Sequence, residues 1–110
     1  MGKTISLNEP VLNGNEWKYI RDCLDTSWVS TAGSYVSLFE KKIVEKISSK
    51  FAIACINGTS SLHIALKVIG VRPDDEVILP SLTFIAPVNA VAYNGAHPVF
   101  MDSDSYYNID

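Results

Sequence analysis

Apolar positions recur at helical spacing in the first half of the chain. In the second half they gather into short runs separated by turns. Ile5 to Asn13 shows no strong period and holds Pro10, which predicts an extended arm. Asn13, with Glu16 three positions later, has the form of a capping box with Asn in place of Ser or Thr. A helix over about Gly14–Asp25 follows, with Trp17, Ile20 and Leu24 on one face. Thr26–Gly33 reads as a loop. A second helix spans about Ser34–Ser48, where Val36, Phe39, Ile43 and Ile47 predict one buried stripe. Glu40, Lys41, Lys42, Glu45 and Lys46 read as its solvated face.

From Phe51 onward the pattern alternates. A strand is predicted over about Phe51–Cys55 and a helix over about Ser60–Ile69. A turn at Val71–Asp75 leads to a strand at about Glu76–Leu79. Pro80–Phe84 then enters a helix with Pro87 near its start, which closes at Asn94-Gly95. A last strand is predicted at about Pro98–Asp102. Two β–α–β crossovers in succession imply an α/β class with a parallel sheet and right-handed connections. Three parallel strands need more neighbours and cover on both faces. The pattern therefore reads as the opening of a larger α/β domain, with Asp102–Asp110 as a turn leading into something further.

Composition narrows the function classes. The chain has 110 residues, enough for one small core, with 47% hydrophobic and 19% charged residues. A net charge of −3 without a basic block gives no case for nucleic acid. Apolar stretches break well short of the ~20 residues of a membrane span. Met1–Asn8 lacks the apolar core of a secretory signal. Cys23 and Cys55, on different elements, read as reduced thiols, a disulfide being the alternative, and with His63 and His97 they form no metal-ligand spacing, so a cytoplasmic protein without metal is expected.

The chemistry concentrates at Asn57-Gly58-Thr59-Ser60-Ser61. A small, hydroxyl-rich turn opening a helix offers unpaired N–H groups, side-chain hydroxyls and the positive end of the helix dipole, which suits a phosphate. A plain helix cap uses the same residue types. The P-loop ending and the dinucleotide glycine fingerprint are both absent. Phe84 follows the next predicted strand and is expected at the same carboxyl edge of the sheet. It is either a core residue or a stacking platform. A phosphate cradle beside an aromatic suits a flat, phosphorylated cofactor.

These segments carry a family resemblance. Asn57–Leu66, Asp75–Phe84 and Pro98–Asp102 resemble the N-terminal part of the DegT/DnrJ/EryC1/StrS sugar aminotransferases. Asn8-Glu9-Pro10, Gly14–Tyr19, Trp28–Gly33 and Phe39-Glu40 narrow the resemblance to enzymes of nucleotide-linked 4-keto-6-deoxy sugars, including LegC-type and perosamine-synthase-like members. The resemblance implies the large domain of the pyridoxal-phosphate-dependent transferases of the aspartate aminotransferase fold, fold type I. Residues 1–33 would form an arm, helix and substrate-side loop, and 34–110 the beginning of the cofactor domain. It implies that Gly58, Thr59 and Ser60 hold the phosphate of pyridoxal 5′-phosphate and that Phe84 stacks on its ring. Ser30 would meet the sugar nucleotide, its alternative being a cap on the next helix. Asn89 would support the site or face a neighbouring loop. His63 reads as structural or exposed, and Asp102 and Asp104 as turn-formers with no metal. The family's partners are a nucleotide sugar and an amino donor, with glutamate expected, in homodimers that serve polysaccharide or glycan synthesis.

The resemblance also implies what is missing. The Schiff-base lysine and the carboxylate on the pyridine nitrogen lie downstream in the family. Lys3, Lys18, Lys41, Lys42, Lys46, Lys50 and Lys67 do not match the lysine's context, nor Asp102 the carboxylate's. The chain alone is therefore expected to be inactive and to self-associate. A GDP- or a UDP-sugar is open, and so is a non-catalytic phosphate-binding module. A nicotinamide-binding domain is disfavoured by the missing fingerprint.

Overall fold

A computed structural model describes residues 5, 6 and 8–110. The predicted arm therefore falls partly outside the described residues, as do most of Met1–Asn8 and Lys3. The chain divides between Ala52 and Ile53 into two compact units.

The first unit holds α1 (Glu16–Asp25) and α2 (Ser34–Ile47). The capping box does not form. The N-cap of α1 is Asn15, without a side-chain bond, and the Glu16 carboxylate accepts instead from the Gly14 N–H at 2.8 Å. The backbone enters the helix two residues after Asn13, which puts that side chain out of reach of the first turn. Tyr35 of α2 donates its hydroxyl to Asp22 of α1 at 2.9 Å, and its ring meets Tyr19 edge-on at 5.2 Å. The predicted apolar faces are not buried. Trp17, Ile20, Leu24, Phe39 and Ile47 are exposed, while Val36 and Ile43 are half-buried. An amphipathic stripe states which face can be covered, and coverage requires a packing partner.

The second unit holds α3 (Gly58–Val68), β1 (Glu76–Pro80), α4 (Ile85–Tyr93) and β2 (His97–Met101). β1 and β2 pair in parallel, from Glu76 opposite His97 to Pro80 opposite Met101. One crossover, β1–α4–β2, is thus formed. The predicted strand at Phe51–Cys55 is not one: among the described residues the sheet has two strands, β1 and β2, not three. A strand exists only through a ladder, and β-branched or aromatic content alone does not supply the facing edge.

Both helices of this unit end alike. In α3 the Val71 N–H donates to Leu66 O and the Gly70 N–H to Lys67 O; in α4 the Ala96 N–H donates to Val91 O and the Gly95 N–H to Ala92 O. Gly70 and Gly95 take φ of 93° and 73°. These are Schellman ends, and their flanking apolar residues feed the core. Leu79, Val91 and Ala96 form that core, with Leu66, Val71, Val77 and Val88 packed on it. Asp102–Asp110 closes on itself through a bridge between Ser103 and Ile109. The Asp104 carboxylate accepts from the N–H groups of Tyr106 and Asn108 at 2.8 and 2.9 Å, an Asx-type turn.

Candidate functional site

The first turn of α3 is built by Asn57. Its extended backbone (φ −161°, ψ 171°) places Oδ1 to accept the Ser60 N–H at 2.9 Å. Its carbonyl accepts from the Ser61 N–H and the Ser61 hydroxyl, both at 3.1 Å. Of the three hydroxyls in the turn, Ser61's thus serves the helix. Those of Thr59 and Ser60 make no hydrogen bond with the described residues, and neither do the backbone N–H groups of Gly58 and Thr59. Two N–H donors and two hydroxyls remain at the positive end of an 11-residue helix.

Gly58 supports a ligand reading. It needs no left-handed backbone, and a Cβ there would meet nothing within 4 Å. A glycine demanded by neither conformation nor packing, facing open space at a helix start, leaves room for a group to approach the main chain closely. The donor set fits a phosphate monoester, whose oxygens are acceptors at neutral pH.

Phe84 is the N-cap of α4, with extended backbone and a side chain 88% exposed. It lies four residues past the carboxyl end of β1. Turn 57–61 does not follow a strand, so the shared sheet edge inferred from sequence holds for Phe84 alone. Ser30 sits in the first unit. Its carbonyl accepts from the Gly33 N–H at 3.2 Å, and Gly33, not Ser30, is the N-cap of α2. The Ser30 side chain is exposed and not engaged in capping. Asn89 is half-buried on α4 and makes no side-chain bond with the described residues.

Asn94 takes the helix-bridging part that sequence reasoning gave to no residue. Its Nδ2 donates to Ala90 O at 2.8 Å and to His63 O at 3.3 Å, and the His63 and Tyr93 rings meet edge-on at 5.7 Å. His63 is thus a packing residue between α3 and α4. The Asn57 cap was legible in principle, since Asn before Gly-Thr-Ser is an N-cap signal.

Cys23 and Cys55 are free. Among the described residues no three His, Cys, Asp or Glu gather as a metal set, and no helix is long and apolar enough to cross a membrane.

A model of the DegT/DnrJ/EryC1/StrS aminotransferase family matches residues 10–110. The GDP-perosamine synthase of Caulobacter vibrioides is 49% identical over 107 residues, covering 96% of this chain and 29% of that protein. Among solved structures, the aminotransferase from Psychrobacter cryohalolentis superposes with a TM-score of 0.78 at 36% identity, over 86% of this chain and 24% of the other. Bacillus subtilis NtdA with bound cofactor PMP gives 0.72 at 33%, over 80% and 20%. The described residues therefore have the fold of the first part of such enzymes, the α/β class expected from sequence. The chain belongs to the DegT/DnrJ/EryC1/StrS aminotransferase family, and it spans less than a third of the length of the relatives it matches.

Proposed function

We propose that this chain forms the phosphate end of the cofactor site in a pyridoxal-phosphate-dependent aminotransferase. The observation that carries the proposal is the set of unpaired donors at the start of α3, in a chain of this family. The N–H groups of Gly58 and Thr59 and the hydroxyls of Thr59 and Ser60 bind the phosphate, and Gly58 admits it to the main chain. Asn57 holds the turn in shape by keeping the Ser60 N–H for itself. The exposed Phe84 ring covers one face of the pyridine and excludes water from it. When bound, pyridoxal phosphate supplies the electron-accepting ring that carries an amino group from donor to acceptor.

The acceptor in this reading is a nucleotide-linked 4-keto-6-deoxy sugar, with glutamate as donor. The likeness to a GDP-perosamine synthase supports GDP as the nucleotide. Ser30, on a substrate-side segment of residues 1–33, contacts it, residues 34–110 begin the cofactor domain, and Asn89 supports the site. The reading includes a cytoplasmic homodimer serving polysaccharide synthesis. No lysine or carboxylate of this chain matches the family's covalent lysine or pyridine-nitrogen partner, so the 110 residues alone bind without transferring.

The test is a titration with pyridoxamine 5′-phosphate, whose amine does not condense with lysines. Saturable shifts at the Gly58 and Thr59 amides, competed by inorganic phosphate and lost in Thr59→Ala/Ser60→Ala, are expected. Absence of saturable binding, or binding indifferent to that double substitution, removes the site assignment. Amino transfer by the isolated chain, with one lysine labelled by pyridoxal phosphate and borohydride, removes the assignment of inactivity.

A further inference from the structure

Asn94 ties together the two helices that bear the proposed site. One amide nitrogen donates to two carbonyls: Ala90 O within α4, and His63 O across to α3. Two carbonyl acceptors use both hydrogens of the NH2 group, so the orientation of the amide follows from its partners. Among the described residues this is the one side-chain hydrogen bond between α3 and α4. The edge-on contact of His63 with Tyr93 lies beside it.

The position of this tie gives it leverage. His63 lies roughly 7.5 Å along α3 from Gly58, and Asn94 about 15 Å along α4 from Phe84, at 1.5 Å per residue. A slide of one helix past the other would move the phosphate donors relative to the Phe84 ring while leaving the donors' own geometry intact. Such a slide is invisible to a free phosphate. It matters to a ligand whose phosphate and aromatic ring are held at a fixed separation.

We propose that Asn94 is a positioning residue: by bonding the His63 carbonyl, it sets the spacing between the donors at the start of α3 and the Phe84 ring. The inference rests on the reading of Gly58, Thr59, Ser60 and Phe84 given above. Its signature is selectivity for a phosphorylated ring over phosphate.

The experiment uses the 110-residue chain and two probes, pyridoxamine 5′-phosphate and inorganic phosphate, each followed at the Gly58 and Thr59 amides. Asn94→Ser keeps a short hydroxyl that reaches the carbonyl four residues back but not His63; Asn94→Ala removes both bonds. Affinity for pyridoxamine 5′-phosphate should fall about tenfold in both variants, the scale of one lost hydrogen bond, with phosphate affinity unchanged. Equal losses for the two probes, or no loss, overturn the role of Asn94 while leaving the site standing. If the wild-type chain binds neither probe, the site reading fails and this inference falls with it. If Asn94→Ala does not fold, Asn94→Ser decides alone, because it preserves the bond within α4.

Discussion

Asn57 and Ser60 form the hydrogen bond that defines the start of α3: the Asn57 side-chain oxygen accepts the Ser60 backbone N–H at 2.9 Å. The bond stabilises the helix and withdraws one donor from any ligand. Asn57→Ala should destabilise the chain by about 1 kcal/mol. Asn57→Asp should retain the cap and the stability, yet weaken phosphate binding through like charge. Urea unfolding with phosphate titration separates the two effects. Phosphate affinity unchanged in Asn57→Asp would place the anion elsewhere.

Gly58→Ala should not destabilise. The added methyl meets nothing within 4 Å and the backbone is not left-handed, so stability should rise by up to about 1 kcal/mol. Binding of pyridoxamine 5′-phosphate should fall, because the methyl occupies the approach to the main chain. Thermal unfolding and binding, measured on the same sample, check both signs.

Gly70 and Gly95 should respond unequally to alanine. Both have positive φ, but a Cβ at Gly70 meets nothing, whereas at Gly95 it would lie 3.3 Å from Pro73 Cβ. Gly70→Ala should cost about 1 kcal/mol from backbone strain alone, and Gly95→Ala more, about 2 kcal/mol. Equal costs in denaturant unfolding would contradict the close packing of the α4 end on Pro73.

The Tyr35 phenol should titrate above its ordinary value of 10.0, because it donates to the Asp22 carboxylate and ionisation breaks that bond. A group whose folded pKa is raised contributes stability below its unfolded pKa and loses it as pH climbs through the folded value. The tie between α1 and α2 is therefore present at neutral pH and weakens above pH 10. Absorbance titration of the tyrosines should show one late phase, absent in Tyr35→Phe and shifted down in Asp22→Asn.

Phe51, Ile53 and Ile56 are 85%, 81% and 92% exposed. Exposed large apolar side chains favour association. Sedimentation velocity should show species larger than a monomer, and Phe51→Ser/Ile53→Ser should reduce them. A monomer at high concentration would contradict this expectation.

The helices were legible from sequence because their signals are local. Spacing of Val36, Phe39, Ile43 and Ile47 located α2 to within a residue, and Asn94-Gly95 marked the end of α4. Asn13 misled because a capping box needs the helix to begin right after it, whereas the N-cap lies two residues further on, at Asn15. Phe51–Cys55 misled because strand-like composition carries no information about the facing edge.

What the sequence determined by itself is the alternation of helix and strand from Gly58 onward, the Asn94-Gly95 stop of α4, and the family to which these segments belong. What only the tertiary structure decided is which donors at the start of α3 stay unpaired, and that Asn94 bonds α3 to α4. It also decided that Phe84 is exposed where a core position was open as well. The division has a physical cause. Period and caps act over a few residues along the chain, whereas burial, ladders and free hydrogen-bonding groups depend on what the fold brings alongside.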